Sequence, residues 1–103
     1  MSFRIEVIGA DDSTTAPSRA YAEYRLFATL VRHTRAIRRV RVVLAHARRN
    51  GTNDVICVVN LALAPAGSAR VRARGPHAFV AIDRAAGRIG ELMDRTSSHS
   101  GSS

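Results

Sequence analysis

The segment IRRVRVVLAHA, residues 37–47, decides the fold, because its side chains alternate in character along an extended chain. The apolar members point to one side and the basic members to the other, namely Val40, Val42 and Leu44 against Arg39 and Arg41. An alternation with a period of two residues is typical of a β-strand that buries only one face. We therefore predict a strand here, with an apolar inner face and an arginine-bearing outer face.

Two elements precede this strand. Residues 2–10, SFRIEVIGA, alternate in the same way and predict a first strand. Turn formers follow, among them Asp11 and Asp12, to which we assign turn and capping roles. Pro17 then opens a helix that we expect to end near Arg35. A strand, a helix and a second strand of one sheet form a right-handed crossover, so the two strands should be parallel.

Three elements follow it. Asn50 and Gly51 predict a hairpin turn, in a loop that we expect to be longer than two residues. Residues 55–64, VICVVNLALA, predict a long third strand, and residues 69–75, ARVRARG, predict a fourth. The short connections make these strands antiparallel. Residues 76–94 predict the last helix.

The predicted architecture is a single α+β domain over residues 1–95, in the order strand, helix, three strands, helix. Both helices should cover one face of a four-stranded sheet, which leaves the other face open to solvent. The polar residues 96–103 predict a disordered tail. The open face should carry Arg4, Arg39, Arg41, Arg70, Arg72 and Arg74, together with Val43, Ile56 and Val58.

The last helix has two different sides. Its apolar stripe should pack on the sheet and consists of Ile82, Ala85, Ala86, Ile89, Leu92 and Met93, with Phe79 joining them. Arg84, Arg88, Glu91 and Arg95 follow helical spacing on another side and form a basic ridge. The ridge is either a binding surface or a solvated helix face with an Arg88–Glu91 ion pair.

The first helix has two apolar stripes, and only one of them can face the sheet. The first stripe consists of Ala22, Leu26, Leu30 and His33, and the second of Ala20, Tyr24, Phe27 and Val31. A stripe left in solvent is a candidate surface for another chain, and Tyr24, Phe27 and Val31 are our candidates for self-association. The alternative is a set of scattered exposed apolar residues.

The net charge of +8 and the pI near 11.5 favour a polyanionic partner, with nucleic acid ahead of membrane. All sixteen basic residues are arginine. A GC-rich genome also replaces lysine with arginine, but it does not account for the net charge. Few aromatic side chains are available for base stacking, and most of them have structural roles, which favours recognition of shape and phosphates.

Several function classes are disfavoured. The single cysteine, Cys57, lies in an apolar run and predicts a buried side chain without a disulfide or a thiolate metal cluster. His33, His46, His77 and His99 are scattered and lack metal-ligand spacing. We therefore expect no enzyme, no cofactor and no metal. The chain also lacks a membrane span and a signal peptide, so we expect it in the cytoplasm.

Three segments carry a resemblance to a known family: YAEYRLFATLVRHTRAIRRVRVVL, GTNDVICVVNLAL and HAFVAIDRAAGRI. They resemble, in order and in content, the ribosome hibernation-promoting factors, also known as ribosome-associated inhibitors or sigma-54 modulation proteins. The most specific piece begins the last helix and consists of Phe79, Ala81, Ile82 and Asp83. Arginines 19, 25, 32, 38 and 39 also resemble the family pattern, and the resemblance covers about residues 3–95.

The resemblance implies a layout similar to that of double-stranded-RNA-binding domains, lodged on the small ribosomal subunit near the decoding centre. Family members silence translation there under stress by occlusion, and basic helix residues contact rRNA phosphates. Carried over by position, the RNA-binding candidates are Arg25, Arg32, Arg84, Arg88 and Arg95. A possible secondary basic face follows from the open sheet and consists of Arg39, Arg41, Arg70, Arg72 and Arg74.

The chain also departs from the family. Tyr24, Phe27 and Ala28 stand where basic residues are common, which implies fewer phosphate contacts. Asp83 matches a family position, and we assign it a structural role near a helix N-terminus. Long members carry a C-terminal dimerisation domain that this chain lacks, so we do not expect it to pair ribosomes alone. The alternative function is a protein-interaction module, for example a homodimer, without ribosome binding.

Overall fold

The structure is a computed structural model that describes residues 3–9, 14–49 and 51–101. Asp11, Asp12 and Asn50, to which the sequence assigned turn roles, lie outside the described residues. The helices and strands follow the predicted order: β1 (Arg4–Gly9), α1 (Ala16–Leu30), a 3₁₀ helix (Val31–Ala36), β2 (Ile37–Arg49), β3 (Thr52–Leu63), β4 (Ser68–Gly75) and α2 (Ala78–Gly101). The predicted α+β fold is confirmed.

The four strands form one sheet in the order β1-β2-β3-β4. β1 runs parallel to β2, with Val7 opposite Val42, so the predicted parallel pairing of the two strands on either side of α1 is confirmed. β3 and β4 are antiparallel to their neighbours, with Val59 opposite both Val42 and Val71. β1 and β4 are therefore the two edges of the sheet.

The core lies between one face of the sheet and both helices. Val40, Val42 and Leu44 are fully buried, whereas Arg39 and Arg41 on the same strand are exposed. The apolar sides of the helices complete this core with Ala22, Leu26, Leu30, Ile82, Ala85, Ala86, Ile89 and Met93. The structure therefore settles which stripe of α1 is buried, because the side chains of Tyr24, Phe27 and Val31 remain exposed.

α1 begins at a capping box. The Ser18 amide donates to Thr15 Oγ1, and the Thr15 amide donates to Ser18 Oγ, so two otherwise unpaired amides of the first turn are satisfied. Pro17 lies in this turn, as predicted. The α-helix ends at Leu30, and the chain then continues as a 3₁₀ helix to Ala36, in which His33 departs from helical backbone angles.

The hairpin turn is shorter than expected. β2 ends at Arg49 and β3 begins at Thr52, and these two residues still pair across the strands. Only residues 50 and 51 connect them, so the prediction of a longer loop was wrong. Gly51 has a φ of 80°, the left-handed conformation that a tight two-residue turn requires and that glycine adopts without strain.

α2 differs from the prediction at both ends. The helix runs beyond Asp94 to Gly101, into the segment that the sequence predicted to be a disordered tail. No proline interrupts it there, and Thr96 Oγ1 donates to the Leu92 carbonyl one turn earlier. At the other end, Phe79 does not join the core. Its side chain is exposed and contacts the Tyr21 ring edge-on, because it lies toward α1 rather than toward the sheet.

In the described ranges, neither helix combines the length and the apolar content that crossing a membrane requires.

Candidate nucleic-acid interface

The open face of the sheet carries the arginines that the strand alternation predicted. Arg4, Arg39, Arg41, Arg70 and Arg72 are exposed on this face, and Arg74 is half-buried. The strand register places Arg4 beside Arg39, and it places Arg41 and Arg70 on either side of Asn60. Backbone pairing therefore holds these guanidinium groups on one surface, although their side chains are far apart in sequence.

Carboxylates neutralise this face only in part. Glu6 Oε1 lies 3.1 Å from Arg41 Nε, and Asp54 Oδ2 lies 3.8 Å from Arg74 Nε. Both side chains of the Glu6–Arg41 pair are about half exposed, so the pair contributes little to stability in water. The face as a whole keeps an excess of positive charge.

Two arginines of α2 bind the outer edge of β4. Arg84 Nη1 donates to the Arg74 carbonyl across 2.7 Å, and Arg88 Nη1 donates to the Arg72 carbonyl. No strand among the described residues pairs with this edge, so the guanidinium groups satisfy carbonyls that would otherwise face solvent. Arg88 therefore donates to a backbone carbonyl rather than to Glu91, the partner in one of the two interpretations of the ridge. Each guanidinium has five N–H donors and keeps several of them for a ligand.

A cleft of about 600 Å³ lies between the β4 edge and α2. We call it the arginine cleft, and its lining includes Arg72, Arg74, Arg84, Arg88, Asp54, Gly75 and Pro76. Gly75 is required where β4 meets the first turn of α2, since a Cβ there would lie 2.7 Å from the Ala81 amide nitrogen. The cleft joins the basic ridge of α2 to the secondary basic face, which the sequence had treated as separate surfaces.

The arginines predicted on α1 have carboxylate partners on α2. Arg25 Nε lies 3.2 Å from Asp83 Oδ1. Arg32 Nη2 donates to both carboxylate oxygens of Asp94, at 3.0 and 2.8 Å. These pairs join the two helices, so a phosphate would have to compete with a carboxylate for either side chain. Arg95, on α2, is exposed.

Asp83 has a structural role, but the physical reason differs from the predicted one. The helix dipole acts mainly within the first turn of a helix. α2 begins at Ala78, so Asp83 lies beyond that turn. Its Oδ1 instead accepts a 2.5 Å hydrogen bond from the Tyr21 hydroxyl as well as the contact from Arg25. The hydrogen bond to Asp83 is the main cause that raises the pKa of Tyr21, and partial burial adds to it.

The candidate self-association surface is exposed. Tyr24 is 70% exposed, Phe27 46% and Val31 45%. The Phe27 ring lies 5.9 Å from the buried Phe3 ring, which ties this surface to the start of β1. Its role in self-association stays a prediction.

Cys57 is fully buried, as the sequence predicted, and burial raises the pKa of its thiol to about 12. Over the part of the chain that the structure describes, no three His, Cys, Asp or Glu side chains lie together as a metal site would require.

The sequence does not show which arginines contact the backbone and which contact carboxylates. The helical spacing showed that Arg84 and Arg88 share a side of α2, but no sequence signal showed that this side lies along β4. The place of Asp54 in the lining of the cleft likewise depends on the pairing of β3 with β4, in which the next residue, Val55, lies opposite Gly75.

The chain is similar to known proteins at the level of the fold. No family profile matches it, and no curated protein matches it either. The crystal structure of the Protein Y N-terminal domain from Thermus thermophilus is similar, with a TM-score of 0.71 and 26% identity over 93% of this chain and 99% of that chain. A ribosomal subunit interface protein from Coxiella burnetii shares the fold, with a TM-score of 0.73 and 14% identity over 91% of this chain and 97% of that chain. These structural neighbours confirm the resemblance of the chain to the ribosome hibernation-promoting factor family.

Proposed function

We propose that this protein is a ribosome-associated RNA-binding factor of the hibernation type, which occupies the small subunit and suppresses translation. The fold-level support is the likeness to Protein Y and to a protein named for the ribosomal subunit interface. The observation that carries the proposal is the continuous arginine surface formed by the open sheet face and the arginine cleft. On this proposal, the protein acts in the cytoplasm.

The geometry favours contacts to the RNA backbone. Arginine binds phosphate through two parallel N–H donors, and Arg72, Arg84 and Arg88 offer such donors around one cleft. We rank these residues ahead of Arg25 and Arg32, because the latter are paired with carboxylates. Among the described residues, the outward-facing positions of the four strands include no aromatic side chain on which a base could stack. Binding should therefore follow RNA shape and charge rather than sequence.

Occupancy alone would suppress translation in this mechanism. A small basic domain bound where messenger and transfer RNA pass would exclude both, and it needs no covalent step. Association would be steered by the net charge of +8. The bound state would be sensitive to salt, because each neutralised phosphate releases a condensed counterion.

Ribosome pelleting across a salt series tests the proposal. The protein should sediment with purified small subunits at about 50 mM salt and be released at about 400 mM, with an affinity loss of orders of magnitude for five or more contacts. The double variant Arg84→Ala, Arg88→Ala should bind about tenfold or more weakly, whereas Arg35→Ala, which removes an exposed arginine outside the cleft, should bind almost normally.

Two results would contradict the proposal. One is a lack of co-sedimentation with small subunits at every salt concentration. The other is co-sedimentation with no decrease in the output of a purified translation system at saturating protein.

A second candidate function is a protein-interaction module that self-associates through Tyr24, Phe27 and Val31. The exposure of these three large apolar side chains, two on α1 and one at the start of the 3₁₀ helix, favours this function. Sedimentation velocity distinguishes the two functions: a dimer that Phe27→Ser converts to monomer, without ribosome binding by either form, would favour the interaction module.

A further inference from the structure

The arginine cleft has the size and the charge of a site for a small anion. It is a groove open to solvent, and its volume of about 600 Å³ leaves room for a small anion beside the arginines. Four guanidinium groups line it, and the single carboxylate of the lining, Asp54, comes no closer than 3.8 Å to the Arg74 Nε. The cleft therefore holds a local excess of positive charge.

Two of these guanidinium groups are held in place before any ligand binds. Arg84 and Arg88 donate to the backbone carbonyls of Arg74 and Arg72, which fixes the direction of their side chains along the cleft. A ligand that uses their remaining N–H donors does not have to order two long flexible side chains. Preorganisation of this kind raises affinity without any additional contact.

The density of charge in the cleft matches a particular class of anion. An RNA strand carries one negative charge per nucleotide, so several nucleotides would have to enter the cleft to neutralise all four arginines. A short chain of linked phosphates carries about as much negative charge as those several nucleotides, but in one compact group. Gly75 and Pro76 contribute to the cleft wall, beside the first turn of α2.

We infer that the arginine cleft binds a compact polyphosphate anion, either free or as the phosphate chain of a nucleotide. The inference goes beyond the proposed function, because it requires neither a ribosome nor RNA. If both hold, the anion and rRNA compete for Arg84 and Arg88. The protein would then leave the ribosome as the concentration of the anion rises.

Calorimetric titration of the full chain tests the inference, with tripolyphosphate, ATP and orthophosphate as probes. Tripolyphosphate or ATP should bind saturably at physiological salt, with orthophosphate weaker by about tenfold or more, since it reaches fewer guanidinium groups. Arg72→Ala should weaken binding about tenfold. Arg39→Ala removes the same charge from the same sheet face outside the cleft and should change the affinity less than about twofold.

The ratio of the affinities for ATP and tripolyphosphate distinguishes the two sources of phosphate. A tighter complex with ATP than with tripolyphosphate identifies a nucleotide site, and equal affinities identify a site for phosphate chains alone. The inference is overturned if neither probe binds saturably, or if Arg39→Ala and Arg72→Ala weaken binding equally.

RNA binding provides an independent comparison. If a short RNA duplex binds through Arg72 while neither small anion binds, the inference fails and the proposed function stands. If the anions bind but small subunits do not, the proposed function fails and the inference stands.

Discussion

The Tyr21 hydroxyl on α1 donates a 2.5 Å hydrogen bond to Asp83 on α2, and Arg25 Nε lies 3.2 Å from the same carboxylate oxygen. Asp94, further along α2, makes a similar connection to Arg32 and to His33, whose Nε2 lies 2.9 Å away. Two aspartates of α2 thus hold α1 and the 3₁₀ helix that follows it against α2. The arginines involved have a structural role whether or not they also contact RNA.

Replacement of Asp83 by Asn should weaken this connection. The amide keeps the size of the side chain but loses the charge, so the free energy of unfolding should fall by about 1 kcal/mol, a modest value because the site is half-exposed. Urea unfolding of the wild type and the variant measures this difference in the free energy of unfolding. Glu91→Gln, which removes an exposed carboxylate from the same helix, is the control, and an equal loss in both variants would contradict the role of Asp83.

Tyr21 should ionise above the usual pKa of about 10 while the protein is folded, because its hydroxyl donates to a carboxylate. A group with a raised folded pKa contributes stability that is complete below the unfolded pKa and is lost as pH rises through the folded pKa. Tyr24→Phe leaves Tyr21 as the single tyrosine. Its absorbance titration should have a midpoint above that of the unfolded chain, and Asp83→Asn should lower this midpoint. A midpoint equal to that of the unfolded chain would exclude the hydrogen bond.

The two glycines within α2 should respond in opposite ways to alanine. Nothing lies within 4 Å of a Cβ built on Gly87, so Gly87→Ala should stabilise the helix by about 0.5–1 kcal/mol. A Cβ on Gly90 would lie 2.8 Å from Thr29 Cγ2. Thr29 cannot turn away easily, because its hydroxyl donates to the Arg25 carbonyl.

Gly90→Ala should therefore destabilise the protein by about 1 kcal/mol or more, since the helices must separate. Thermal unfolding of the two variants in parallel checks this, and an equal rise in Tm for both would show that α1 and α2 are not in close contact at Gly90.

Cys57 should be inert in the folded protein. Burial raises the pKa of its thiol to about 12, so the thiolate is scarce at neutral pH and the sulfur is also inaccessible. Alkylation by iodoacetamide at pH 8 should be about a hundredfold or more slower than in denaturant. Equal rates in the two conditions would contradict the burial of β3.

Loss of Arg84 and Arg88 should expose the edge of β4. The double alanine variant leaves the carbonyls of Arg72 and Arg74 without these donors, so unfolding should require about 1 kcal/mol less free energy. The variant should also self-associate more as its concentration rises, because an uncovered edge strand pairs with other chains. Light scattering measures this, with Arg95→Ala on the same helix as the control. A variant that stays as monomeric as the control would refute the edge-covering role.

Period-two alternation predicted the strands well, because it is a local property of an extended backbone. The burial of Val40, Val42 and Leu44 and the exposure of Arg39 and Arg41 could be derived without any tertiary information. The C-terminal ends of the two α-helices were not predicted correctly. The 3₁₀ turn after Leu30 and the extension of α2 to Gly101 depend on weak preferences that no motif in the sequence marks.

The sequence by itself determined the order of elements, the inner and outer face of each strand and the arginine excess of the open face, since each follows from periodicity along the chain. Only the tertiary structure decided what each arginine contacts. Arg25 meets Asp83 across 58 residues of sequence, and Arg32 meets Asp94 across 62. Arg84 and Arg88 meet backbone carbonyls of β4 instead. The physical reason is that the partner of a charged side chain is determined by how the helices pack on the sheet. Local sequence patterns do not show that packing.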